Sequence, residues 1–107
     1  MGRYDATATL QLLSDQAQAY QILDPCTKIV LVFHMVTTVA DAHPGEDGDY
    51  NHHVSHQVIR PWIDKIAAVG GLSVLDLQIG RAELATELSS IEPLIRLPTV
   101  HLAIDPE

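Results

Sequence analysis

Seven ionisable side chains crowd one short stretch of this 107-residue sequence: His43, Glu46, Asp47, Asp49, His52, His53 and His56. His52 and His56 are four apart, so a helix would carry both imidazoles on one face, a spacing suited to two metal ligands. Asp49, His43 or His34 would supply a third ligand, and zinc or nickel would suit that donor set. The motif is incomplete. His53, Val54 and Ser55 lie between the pair, so there is no His-Glu-x-x-His and no acid to serve as base. Asp47, Asp49 and Asn51 mimic the start of a calcium loop, but His52 stands where its glycine belongs and Val58 where its bidentate Glu belongs. A polar loop feeding a helix, with Asn51 as cap, explains the same residues without a metal. The first expectation is therefore no cofactor.

A second set of groups lies at the ends of three apolar runs. Ligands of parallel sheets bind beyond the carboxyl ends of the strands. That rule collects His34, Thr37, Thr38 and Asp41 from the first run, Gln78 and Arg81 from the second, and Asp105 and Glu107 from the third. Asp76 falls inside its run. Buried there, it needs a partner such as Arg or His, or it takes up a proton. Carboxylates on neighbouring strands can split their pKa values and act as acid and base on a glycosidic or ester bond. The expectation is a hydrolase-like site in which Asp76 works with Asp105 or Glu107. His34, Asp41, Gln78 and Arg81 would orient a small-molecule or carbohydrate-like substrate. The plainer alternative has Asp76 held by a local hydrogen bond and Asp105 capping or solvated.

The elements that must position these groups follow from hydrophobic spacing. Leu72–Gly80 is a short, mostly apolar run, with Gly70-Gly71 before it and Gly80 closing it, and reads as a buried strand. Asp5–Leu23 is helical, with Leu10, Leu13, Ala17 and Tyr20 on one stripe, Asp5 or Thr7 as cap and Asp24-Pro25 as stop. Thr27–Thr38 is rich in β-branched residues and reads as a strand buried on both faces, with a short buried helix as the alternative. Ala42–Asn51 is a loop. His53–Val69 is a helix with Val54, Val58, Trp62, Ile66 and Val69 aligned, and Pro61 either kinks it or starts it afresh. Trp62 and Tyr50 could line a sugar groove, although Trp62 fits the core stripe better. Arg60 is placed to pair with Asp64. Arg81–Ile95 is the next helix, with Leu84, Leu88, Ile91 and Ile95 inward and Glu83 and Glu87 near the other face. Thr99–Ile104 is the third strand.

These elements make a single α/β unit over 1–107, a helix at 5–23 followed by strand-helix units from 28 onward. Parallel strands with right-handed crossovers follow from helices of this length. Parallel sheets need cover on both faces, and three helices cover three strands only marginally. Self-association, or a missing C-terminal portion, is the natural remedy.

Composition narrows the partners. The net charge is −8, from 14 acidic and 6 basic residues, with no basic run, which disfavours nucleic acid and anionic membrane surfaces. Ile29–Val36 is too short to span a bilayer. No early basic-then-apolar segment resembles a secretion signal, so a cytoplasmic protein is the default. A secreted or lipid-anchored parent stays open if the sequence is a segment. Cys26, the lone cysteine, is expected to be a buried small hydrophobe. No phosphate-binding glycine loop and no Gly-x-Ser-x-Gly elbow occurs.

The phrases Val74-Leu75-Asp76-Leu77-Gln78-Ile79-Gly80 and Val100-His101-Leu102-Ala103-Ile104-Asp105-Pro106-Glu107 resemble strand ends of (β/α)-barrel proteins. In particular they look like an uncharacterised bacterial barrel family with a VHLALDPE-like segment at the barrel mouth. The resemblance runs from about Lys28 to the end. It implies a TIM-barrel-like architecture with Asp76, Gln78, Asp105 and Glu107 at the mouth. A full barrel has eight strands in roughly 250 residues, so a fragment or reduced form would be implied. The competing reading is a small acidic, non-enzymatic α/β protein that self-associates or completes a larger assembly.

Overall fold

The structure is a computed structural model that describes residues 5–40 and 51–105. The elements run α1 (Ala6–Leu23), β1 (Val32–Ala40), β2 (Asn51–His53), α2 (His56–Ala68), β3 (Leu72–Gln78), α3 (Leu84–Ile95) and β4 (Val100–Asp105). One four-stranded sheet in the order β2-β1-β3-β4 holds them together, with β1, β3 and β4 parallel and β2 antiparallel to β1.

The α/β expectation holds, and the first apolar run is a strand rather than a helix. Two boundaries shift for physical reasons. The region read as loop and helix start contains β2, because Asn51–His53 pairs with Thr38–Ala40 and pairing overrides a weak local pattern. Helix α2 therefore begins at His56, capped by the Ser55 hydroxyl, which accepts from the Gln57 amide at 3.2 Å. Asn51 is a strand residue and caps nothing. Pro61 lies inside α2 and Pro93 inside α3, so neither starts nor stops its helix. Helix α1 is capped by the Asp5 carboxylate, which accepts from the Ala8 amide at 2.7 Å.

Helix α2 ends in a glycine turn that the sequence announces. Gly70 takes φ 78°, and the amides of Gly70 and Gly71 donate to the carbonyls of Ala67 and Ile66. This pattern closes a helix with a left-handed residue and passes the chain into the strand. Gly71 is needed for a second reason. A Cβ there would stand 2.6 Å from Cγ1 of Ile66 and 2.7 Å from the carbonyl oxygen of Leu31.

The core lies on one side of the sheet. Phe33 and Met35 of β1, Leu75 and Leu77 of β3 and Val100 of β4 point to the same face and meet Ile59, Trp62, Ile63 and Ile66 of α2 and Ile91 and Leu94 of α3. The Phe33 and Trp62 rings meet edge to face at 5.4 Å, so Trp62 belongs to the core stripe. One-sided cover follows from topology. The chain steps from β1 to β3 to β4 in a single direction, and right-handed crossovers that never reverse place both helices on the same face. The opposite face carries Val36, Val74 and Ala103 among His34, Asp76, Gln78, His101 and Asp105.

Helix α1 packs against α2 through its first half, where Ala6 is buried and Leu10 and Leu13 join the core. The expected stripe fails further on. Tyr20, Ile22 and Leu23 are exposed. Cys26 is exposed as well, contrary to the expectation of a buried thiol, because the turn after α1 lies outside the packed layers.

The barrel expectation is overturned. A barrel closes by pairing its last strand with its first, but the outer side of β1 is occupied by antiparallel β2 and β4 ends the sheet. The sheet is open. What the chain shares with a barrel is its winding in one direction.

Candidate functional site

Two histidine–carboxylate pairs stand on opposite faces of this sheet. On the face without helices, Nε2 of His34 lies 2.9 Å from Oδ2 of Asp76. His34 is opposite Val74 and Asp76 is opposite Val36 in the β1–β3 register, so the pair spans two strands on a diagonal. The Asp76 side chain is only 15% exposed, and its second oxygen, Oδ1, is buried without a hydrogen-bond partner among the described residues. The expectation that a mid-strand Asp76 needs a His or Arg partner is met by His34.

On the helix side, a bulge in β1 sets the second pair. Val36 pairs with Asp76 and Thr38 with Leu77, so Thr37 is an extra residue. The bulge turns Thr38 toward α3 and leaves Thr37 Oγ1 donating to the Asp76 carbonyl at 3.4 Å. Thr38 faces His53 across the β1–β2 ladder. Both meet Glu87, in the first turn of α3, where a carboxylate complements the helix dipole. Glu87 is 2% exposed; Oε2 lies 2.5 Å from Nε2 of His53 and 3.5 Å from Oγ1 of Thr38. The Asn51 amide donates to the Ile79 carbonyl at 2.8 Å and to Oε1 of Glu87 at 3.4 Å. This one buried carboxylate joins α3 to β1 and β2, and Asn51 carries the connection on to the exit of β3.

In each pair a carboxylate fixes one ring nitrogen of an imidazole that is itself half exposed, 58% for His34 and 44% for His53. Such an arrangement holds the ring in one orientation. It is not enclosed. An open groove of about 400 Å³ runs along α3, lined by Leu88, Ser89, Glu92, Ile95 and Arg96, and includes neither pair.

The sequence-derived site is only partly assembled. Asp105 is opposite Gln78, and Asp76 is opposite Ala103, so the two acids stand one diagonal step apart on the same face. Gln78 is committed to the backbone, its Oε1 accepting from the Ala40 amide at 2.9 Å. Arg81 sits exposed in the turn after β3. Asp41 and Glu107 lie outside the described residues, as do His43, Asp49 and Tyr50. The barrel mouth on which the hydrolase expectation relied does not form among the described residues, where the sheet is open and the Asp76 carboxylate is bonded to His34.

The shared helix face for His52 and His56 does not form, because His52 is in β2 and His56 opens α2. Among the described residues, no group of three or more His, Cys, Asp or Glu is placed to hold a metal ion. The Arg60–Asp64 pair is present, Nε to Oδ1 at 3.0 Å.

Glu87 and His53 are the residues that sequence reasoning missed as a pair. The signal for Glu87 was available. It lies three residues after Leu84 and four before Ile91, within the apolar stripe rather than opposite it. His53 carried no such signal, since its position depends on β2 pairing.

No protein-family model matches this sequence, and no curated protein or solved structure matches it either. The resemblance to a bacterial barrel family is thus supported neither by these comparisons nor by the open sheet. No described helix is long and apolar enough to cross a membrane.

Proposed function

We propose that this α/β domain works by association with further copies of itself rather than by turnover. One observation carries the reading. Leu102 and Ile104 of β4 lie on the helix-bearing face, opposite Leu75 and Leu77 of β3 in the register. Yet they are 39% and 45% exposed, while both β3 residues are fully buried. The helix layer covers Val100 at the start of β4 and stops short of Leu102 and Ile104. An open parallel edge with apolar residues beside it is a pairing surface. The face on which no described helix packs points the same way, because parallel strands are ordinarily covered on both sides.

Light scattering across a range of concentrations tests this reading. Association predicts a mass above that of one chain, rising with concentration. A mass of one chain at every concentration would sink it.

A further inference from the structure

The association reading leaves open what completes the sheet, and the inference here rests on that reading. We propose that the β4 edge pairs with the β4 edge of a second copy, antiparallel, about a twofold axis through Ala103.

The backbone sets the possibilities. The Ser73 amide donates to the Thr99 carbonyl and the Ile79 amide to the Asp105 carbonyl. Strand groups alternate sides, so the odd-numbered residues of β4 turn their amides and carbonyls toward β3. Those of Leu102 and Ile104 point to the open edge. An antiparallel partner must bond to these groups, and opposed residues must then share a face.

Side-chain complementarity selects among the remaining registers. With Ala103 opposite its own copy, His101 faces Asp105 of the second chain, and the symmetry repeats that contact. An imidazole directly across an antiparallel pair from a carboxylate can donate a ring N–H to it, whereas two carboxylates opposed there repel. On the other face the same register sets Leu102 against Ile104 of the second chain. A twofold axis perpendicular to the sheet keeps both helix layers on one side. The two α3 helices would then flank the apolar strip that one chain leaves exposed. The result is one continuous eight-stranded sheet, four strands from each copy.

Cysteine trapping tests the register. Cys26 is exposed and is first removed as Cys26→Ser. In this background Ala103→Cys should form a disulfide dimer, because residues facing each other across a non-hydrogen-bonded position have Cα atoms about 4.5 Å apart, within disulfide reach. His101→Cys, which faces a different residue, should form one about tenfold more slowly or not at all. If Ala103→Cys does not fold, as judged by the near-ultraviolet signal of Trp62, a mixture of Leu102→Cys and Ile104→Cys chains replaces it and should give the mixed disulfide. A mass of two chains in solution without trapping by either route would overturn the β4 pairing and leave association standing. A mass of one chain throughout would overturn both.

Discussion

Nε2 of His53 lies 2.5 Å from Oε2 of Glu87, which ties the short antiparallel strand β2 to the first turn of α3. Only one partner is fully buried, so the two truncations are not equivalent. His53→Ala leaves a buried carboxylate with weak neutral donors at 3.4 and 3.5 Å, whereas Glu87→Gln removes the charge and keeps an acceptor. Losing the partner of a buried charge costs roughly 3 kcal/mol, and weakening a hydrogen bond about 1 kcal/mol. Urea unfolding should therefore rank His53→Ala as the more destabilising change. His53→Ala combined with Glu87→Leu should recover much of the loss. Equal costs for the two single variants would show that the charge is not what the pair stabilises.

Gly71 and Gly70 differ in what they require. Gly71→Ala drives a methyl against the Leu31 carbonyl, which cannot retreat because it accepts the Leu72 amide at 2.9 Å. Overpacking against fixed backbone costs about 3 kcal/mol. Gly70→Ala meets no atom within 4 Å but must hold a left-handed conformation, a cost of about 1 kcal/mol. Thermal denaturation should place Gly71→Ala well below Gly70→Ala, and the reverse order would disprove the close approach at Leu31.

Ser73 is fully buried on the helix side of β3, and its hydroxyl has no hydrogen-bond partner among the described residues. Leaving a buried hydroxyl unpaired costs more than the packing its oxygen supplies. Ser73→Ala should raise stability by up to about 1 kcal/mol in urea titrations. A clear loss would mean that the hydroxyl has a role the geometry does not reveal.

Much of this architecture was legible in the residues. Gly70-Gly71 located the end of α2 and the start of β3, and the Trp62 stripe located the core. Parallel strands joined by helices followed from segment lengths. Three features were hidden because they depend on contacts distant in sequence. Strand β2 exists through pairing with β1. The bulge at Thr37 exists because Asp76 and Leu77 keep their own register. Closure into a barrel could not be decided from strand ends alone, since an open sheet wound in one direction has the same local pattern. His34, expected as a substrate-orienting group, is the hydrogen-bond partner of the largely buried Asp76. The charge of Glu87 points to the solvent side, whereas its spacing from Leu84 and Ile91 points to the buried side that it occupies.

The central claim is that the sheet is completed by association, so stability should depend on how much protein is present. The direct measurement is the urea midpoint, read from the Trp62 signal, over a hundredfold range of protein concentration. Mass action makes a protein stabilised by its own partner more resistant as concentration rises, by about 2.7 kcal/mol for a hundredfold excess over the dissociation constant. The account predicts a midpoint that climbs steadily across that range. A midpoint independent of concentration would contradict it.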